Sequence, residues 1–375
     1  MRNVILTTSL IAALAAMAYG CGGTDTTGGG GSTTGESTTT TATSSASGTG
    51  GTGGTGSTAT STATATSSAV SSGTGTPVVC TPSDGVVLAI ETLDFGDFGM
   101  DTSASQKLGF NIDALVSTAQ STDLCLPVTG ADKNKIYVDG DQGIDNSFGK
   151  NVLPLLLNLS PGFSEATTNN ISDGKFTMML DFVGLTAAPD QPTLTTRLYG
   201  GTDLGSPPGF DGKDCWPVAP ELLTDAADIK TSSVIFDKSA VTGNTWTSGA
   251  AATITLSVPT GPSTITLTIH KAQVSLTLSA DHKSATGGII GGVLDTEEFI
   301  KEIKTAIYSL DPAYCALIGT VEKQIRQDSD ILNDGTQDKT KTCNGISIGF
   351  GFTMKEVQLG GVGPKAPPSA GACMP

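Results

Sequence analysis

The chain has 375 residues, of which 36 are acidic and 20 are basic, so its formal net charge is −16. Charge of this sign argues against nucleic acid and anionic lipid headgroups as partners, because both are themselves negative. Aromatic residues make up only 5% of the chain. A stacking platform for sugars is therefore not indicated.

The first residues have the layout of an export signal. Arg2 supplies a short positive region, and Val4 to Ala18 is a mostly apolar run of about fifteen residues. A run of this length suits the hydrophobic part of a signal peptide and is short for a membrane-spanning helix. Small residues follow and lead to Cys21, so we expect an exported protein.

Ala18, Tyr19, Gly20 and Cys21 resemble the cleavage site of bacterial lipoproteins, with alanine where leucine is usual. The resemblance covers only this leader. It implies cleavage before the cysteine, acylation of Cys21 with palmitate among the chains, and a membrane partner reached through the lipid. Gly22 in place of aspartate favours the outer membrane. The alternative is an ordinary secretory signal with a chance cysteine.

The segment after the cysteine has the composition of a linker. Between Gly22 and Thr76 nearly every residue is Gly, Ser, Thr or Ala. Such a segment buries too little apolar surface to offset its ordering entropy, so it predicts a disordered tether with a span of about 40 Å. The predicted organisation is a signal peptide (1–20), a lipidated cysteine with its tether (21–76) and a single disulfide-braced domain (77–375).

Six cysteines remain once Cys21 is acylated. An even number in an exported protein predicts disulfides rather than metal ligation, since no Cys-x-x-Cys pair occurs. The sequence does not choose among the possible connectivities; the pairs that we favour are Cys315–Cys343, Cys80–Cys373 and Cys125–Cys215.

Strand patterns dominate the body. Apolar or alternating runs predict strands at 86–95, 175–185, 193–201 and 286–294, a further one ending near Val138, and a hairpin of 254–258 and 265–269 that continues through 274–278. Asp295 and Asp311 are expected to cap two helices, and a third is expected near 151–159. Runs of antiparallel strands with few helices predict an α+β fold, mostly antiparallel β in sandwich-like sheets, with two or three helices.

Two acidic loops are the candidate metal sites. Each has aspartates at a D-x-D-x-x-x-D spacing next to glycine, a pattern that can point several hard oxygens at one Ca²⁺. Neither loop has the later glutamate of an EF-hand, and acidic turns that bond their own backbone are the alternative. The candidate ligands are Asp139, Asp141 and Asp145 in the first loop, and Asp328, Asp330 and Asp334 in the second. No other cofactor is indicated.

Catalytic signals are weak. Gly345–Gly349 matches the G-x-S-x-G pattern, but alternation predicts a strand through Ser347 where a hydrolase needs a sharp turn. His270 and His282 are expected at the surface. Carboxylate pairs among Glu91, Asp94 and Asp97 are what a glycosidase would use, although chance explains them equally well.

Three functions remain open from the sequence. The favoured one is a non-enzymatic envelope or surface lipoprotein that displays a β-rich binding or structural domain. The alternatives are a secreted hydrolase that depends on carboxylates and a carrier of apolar ligands. Clustered buried carboxylates with perturbed pKa would favour the hydrolase, and a deep apolar pocket would favour the carrier. No catalytic residue is assigned.

Overall fold

A computed structural model describes residues 79–98, 100–159, 162–260, 263–365 and 371–373, which belong to one compact unit. The predicted leader, Cys21 and the tether lie outside the described residues. Ten strands form the body: β1 (Gly85–Asp94), β2 (Thr177–Val183), β3 (Gln191–Gly201), β4 (Cys215–Val218), β5 (Val234–Thr242), β6 (Thr245–Thr247), β7 (Ala252–Thr260), β8 (Ser263–Leu278), β9 (Ser284–Asp295) and β10 (Gly345–Val362).

Eight of the strands close into a barrel. Hydrogen-bonded neighbours run from β1 through β2, β3, β5, β6, β8, β9 and β10 and back to β1, every pair being antiparallel. The mostly antiparallel β prediction is confirmed, whereas the sandwich-like arrangement is wrong. Closure depends on β10, which is 18 residues long and pairs with both β9 and β1. The remaining two strands lie beside the ring: β4 pairs with β10 and β3, and β7 pairs with β8.

Large side chains fill the inside of the barrel. Phe182 on β2 and Trp246 on β6 are three strands apart around the ring, yet their ring centroids are 5.4 Å apart, so they meet across the interior. Phe236 on β5 packs against the same indole at 5.8 Å. The indole N–H donates to Thr196 Oγ1 at 3.1 Å, which satisfies its only donor. An eight-stranded barrel is just wide enough for side chains to fill it.

The wall of the barrel is buried on both faces along β2, where six of seven residues are buried. Even-numbered residues such as Phe182 face the interior. Met179 belongs to a second cluster with Tyr199 and with Trp216 of β4. Burial on both faces explains why the apolar residues of β2 do not alternate with exposed polar ones, and its two polar residues, Thr177 and Asp181, are buried as well.

The α-helices are α1 (Lys133–Ile136), α2 (Leu153–Leu159), α3 (Phe163–Ser172), α4 (Thr296–Leu310) and α5 (Ile318–Gln327). Asp295 caps α4 as predicted, accepting from the amides of Glu297 and Glu298. Asp311 caps a 3₁₀ turn that leads into α5. The strand predicted to end near Val138 is wrong, because the preceding residues form α1, which Asp132 caps. Among the described residues, no helix has both the length and the apolarity needed to cross a bilayer.

An aromatic cluster joins the helices to the strands. Phe95, at the end of β1, packs against Phe163 of α3 at 4.8 Å and against Phe350 of β10 at 5.0 Å. Phe148 follows in the same cluster and contacts Phe299 of α4 at 5.9 Å. Such pairs stabilise by about 1 kcal/mol beyond the area that they bury.

All six body cysteines are paired, which confirms the disulfide prediction. The pairs are Cys80–Cys215, Cys125–Cys343 and Cys315–Cys373. All three pairings favoured from the sequence are wrong. Cys80 is bonded to β4 and Cys373 to the 3₁₀ turn before α5, so these disulfides do not join the two ends of the domain to each other.

Candidate functional site

The two acidic loops predicted as separate sites meet in one place. Asp139 and Asp145 flank the 3₁₀ turn Asp141–Gly143, and Asp330 lies just beyond the end of α5. The carboxyl of Asp330 interacts electrostatically with those of both Asp139 and Asp145. Asp113, which the sequence analysis did not single out, acts on the same two carboxyls. We call Asp113, Asp139, Asp145 and Asp330 the acidic cluster.

Asn146 fixes the first loop against β10. Its Nδ2 lies 2.9 Å from each of the carbonyl oxygens of Ser105, Leu108 and Gly349. Its Oδ1 accepts from the amides of Gly149 and Gly349 at 2.9 and 3.1 Å. The side chain is 8% exposed, so its amide satisfies backbone groups that water would otherwise have to reach.

Backbone amides hold the carboxylates of this loop. Asp145 Oδ2 accepts from the amides of Ile112 at 2.6 Å and Asp113 at 3.4 Å. Asp139 Oδ2 accepts from the amide of Ser117 in a short contact. Among the described residues, no hydrogen bond engages the Oδ1 atoms of Asp139 and Asp145. The side chain of Ser117 is a further hydrogen-bond partner of Asp139 and lowers the pKa of that carboxyl.

Ser347, the serine of the G-x-S-x-G pattern, serves the second loop. It is fully buried on β10, where its amide and hydroxyl donate to Asp330 at 2.9 and 2.5 Å. Its Oγ also accepts from the amide of Ser147 at 2.8 Å. A Cβ on Gly349 would meet the Leu108 oxygen at 2.3 Å, so this glycine permits close backbone approach. The motif is a docking surface for the loops rather than a nucleophile elbow.

Burial raises the pKa of three carboxyls of the acidic cluster. The pKa rises to about 8 for Asp145, about 7 for Asp330 and about 6 for Asp139, with desolvation as the largest cause and neighbouring aspartates adding to it. Burial also raises the pKa of Asp328, at the end of α5, to about 7, and the charge of Lys135 opposes that rise. These carboxyls lack enough positive charge to offset their removal from water.

One lysine faces the centre of the cluster. The Lys150 ammonium donates to the Val138 oxygen at 2.8 Å and interacts with Asp139 and Asp330. Its own pKa is lowered because burial outweighs these favourable charges. A cavity of about 10 Å³ lies beside it, with Asp139 and Asp330 in its wall. That volume is about the room that one water molecule needs.

Three predicted ligands lie outside the cluster: Asp328 at the end of α5, Asp141 and Asp334. Asp141 is exposed, and Asp334 is exposed and accepts from the amide and hydroxyl of Thr336. Within the residues that the structure describes, no three His, Cys, Asp or Glu side chains are already arranged to hold a metal ion. The sequence therefore located part of the site, but missed Asp113 and Lys150, for which it offers no local signal.

The remaining candidates have structural partners. His270 lies 3.1 Å from Glu298 at a partly exposed position. The surface prediction for His282 is wrong, since it is 3% exposed and sits under Asn244 in a turn with φ of 56°. Asp97 accepts from the amide of Ser164 at the start of α3.

The other carboxylates of the proposed glycosidase pairs are held locally too. Asp94 accepts from the amide of Gly96, and Glu91 accepts from the Thr353 hydroxyl.

Comparison with protein-family models, with curated protein sequences and with solved structures gives no match for this chain.

Proposed function

We propose that this protein is a lipid-anchored protein of a bacterial envelope, preferentially the outer membrane, and that it displays a rigid barrel domain without catalytic activity. The observation that carries the proposal is the attachment at the start of the body. Cys80 is bonded to Cys215 on β4, and the Thr81 amide donates to the Leu359 oxygen at 2.7 Å. A chain end is usually poorly ordered unless it is tied down in this way.

This attachment suits a domain held by its N-terminal side. Because Cys80 is covalently joined to β4, tension from the preceding segment would reach the sheet through a covalent bond before it could act on β1. The oxidised cysteines suit a compartment outside the cytoplasm. The packed interior supports display over transport of an apolar ligand, because Phe182 and Trp246 occupy the space that such a ligand would need.

The anchor is tested by expressing the full chain with its leader in a diderm bacterium and separating the membranes. We expect the mature protein in the outer-membrane fraction, starting at Cys21 with a diacyl or triacyl mass. Cys21→Ala should remain uncleaved or leave that fraction, whereas Thr33→Ala, a matched change in the tether, should behave as wild type. A mature chain that starts elsewhere would defeat the proposal.

A carboxylate-dependent hydrolase is the second candidate, since the acidic cluster holds carboxyls whose raised pKa would suit a general acid. Against it stands the cavity of about 10 Å³, which admits water but no substrate. Turnover of chromogenic glycosides or esters by wild type, with loss of turnover in Asp145→Asn, would support this candidate. Equal background rates in the two proteins would remove it.

A further inference from the structure

The outer edge of β7 has no strand beside it. β7 lies outside the ring and pairs only with β8, and the two strands meet at Thr260 and Ser263 with two residues between them. In such a hairpin alternate residues of each strand direct their backbone groups toward the partner. Thr253, Thr255 and Ser257 are therefore the residues whose amides and carbonyls point away from β8. Within the residues that the structure describes, no other strand, loop or side chain bonds to these outward groups.

Pro259 marks the end of the free edge. It is the next outward residue along β7, it has no N–H, and its carbonyl oxygen accepts from Asn170 Nδ2 of α3 at 3.3 Å. A bond from outside the hairpin at this position agrees with the alternation described above. At the other end of the strand, the register shifts between Ala252 and Ile254. The free edge is thus a short segment with three outward residues.

The edge lacks the charged side chains that protect most free strands from pairing with another chain. No Asp, Glu, Lys, Arg or His occurs between Ser239 and Ile269, although charged residues make up 15% of the chain. The aliphatic side chains of β7 are already buried in the protein's own core. On the opposite face Thr253 and Ser257 are exposed, and Thr255 is half-buried. The edge therefore offers backbone groups and small hydroxyl side chains, and no apolar pocket.

A second copy of the chain suits this edge. The net charge of −16 keeps copies apart over most of their surface, whereas no like charges meet along β7. The outward residues are also self-complementary. With a two-fold axis at Thr255, that residue faces its own copy, and Thr253 faces Ser257 of the second copy. Each facing pair exchanges two backbone hydrogen bonds, so about six would form, and threonine pairs across strands add to them.

We propose that the free edge of β7 is the interface of a two-fold dimer, in which the β7 strands of two copies pair antiparallel about Thr255. An isologous contact of this kind closes on itself and does not propagate into a fibre. Pairing of single strands buries less than a standard interface, so the expected dissociation constant is on the order of 10⁻⁴ M. This inference does not depend on the membrane anchor.

The test is sedimentation equilibrium of the chain from Gly22 to Pro375, exported behind a cleavable secretory leader so that its cysteines oxidise. The molar mass should rise from monomer toward dimer over about 5–500 μM protein. Raising NaCl from about 50 to about 500 mM should tighten the dimer about threefold, because salt screens the repulsion between two acidic copies. Weakening by salt would overturn the proposal, since it would show an interface held by ion pairs.

Variants of the central residue locate the interface. Thr255→Lys places two like charges opposite each other and should weaken the dimer at least about tenfold. Thr264→Lys adds the same charge at an exposed position of β8, away from the free edge, and should dimerise as wild type. Thr255→Pro removes an N–H that β8 does not use, so it should fold with an unchanged circular dichroism spectrum and lose the dimer. Equal dimerisation in Thr255→Lys and Thr264→Lys would overturn the assignment.

Amide hydrogen exchange, followed residue by residue by NMR, gives an independent readout. As the protein concentration rises through the dimerisation range, exchange should slow at the amides of Thr253, Thr255 and Ser257. The amides of Ile254 and Leu256 already bond to β8 and should not change with concentration. Slowing confined to other parts of the chain would place the dimer contact elsewhere and overturn the proposal. A wild-type monomer at every concentration would also overturn it and leave the edge to an extended segment of a different protein.

Discussion

Removing the Asn146 amide is the sharpest test of how the loops dock on β10. Asn146→Ala deletes five contacts with backbone groups of Ser105, Leu108, Gly149 and Gly349. These groups are mostly buried, so water replaces the amide poorly. The two N–H groups of the amide and its Oδ1 supply at most four hydrogen bonds, so at about 1 kcal/mol of net stability for each the expected loss is roughly 4 kcal/mol. That is a large share of the roughly 5–15 kcal/mol typical of a folded domain.

The assay is equilibrium urea unfolding of the oxidised domain. With m of about 3 kcal/mol/M, the midpoint should fall by about 1.3 M urea without a change in m. Asn158→Ala is the matched control, because Asn158 is exposed and its one hydrogen bond among the described residues is to Pro154 within its own helix. That control should stay within about 0.5 kcal/mol of wild type.

A third variant separates hydrogen bonding from volume. Asn146→Asp keeps the shape but removes both N–H donors and places a buried charge beside three carbonyl oxygens. It should destabilise at least as much as alanine at pH 7 and less at pH 4, where the acid is neutral. A loss below about 1 kcal/mol in Asn146→Ala, or equal losses in Asn146→Ala and Asn158→Ala, would refute the reasoning.

Three further outcomes are expected. In chelator, the urea midpoint should be highest near ~pH 5 and fall toward ~pH 9. The folded-state pKa values of the buried carboxyls are raised to about 6–8, so the stability that these groups contribute is lost as the pH rises through those values. A midpoint that rises over this range would contradict the burial argument. Replacing Cys125 and Cys343 by serine opens a loop of 218 residues and should cost about 5 kcal/mol in the chain-entropy model. The urea midpoint should fall, while the spectroscopic signal of the folded protein should stay as in wild type. Arg197→Met removes the cationic partner of the 2% exposed Asp181 at 3.4 Å and leaves the Ser83 hydroxyl as its side-chain donor, so the expected cost is about 3 kcal/mol. Adding Asp181→Leu should recover most of this loss; a double variant as unstable as the single one would show that the ion pair itself stabilises the sheet.

Local features of the chain were predictable because their physical causes are local. Alternation with a period of two placed the β7–β8 hairpin, where Val258 faces Ile265 in register. Asp295 caps α4 by accepting from the amides of Glu297 and Glu298, two and three residues further along the chain, so the contact needs no distant partner. The even number of body cysteines predicted disulfides from redox chemistry alone.

Long-range pairing was decided only by the tertiary structure. Periodicity states which face of a strand is buried but not which strand lies next to it, so ring closure through β10 could not be distinguished from a sandwich. The disulfides join cysteines up to 218 residues apart, and loop-closure entropy varies too slowly with length to select among such pairs.

The candidate site shows the same division. The aspartates of both loops were visible in the sequence, since their spacing is a local pattern. Their convergence was not, because it depends on contacts such as the Ser147 amide with Ser347, 200 residues away. The sequence alone determined most of the strands, the helix cap and the oxidised cysteines, and it predicts an export signal. The closed barrel, the cystine pairs and the single acidic cluster were decided by tertiary packing, because each depends on which distant segments become neighbours.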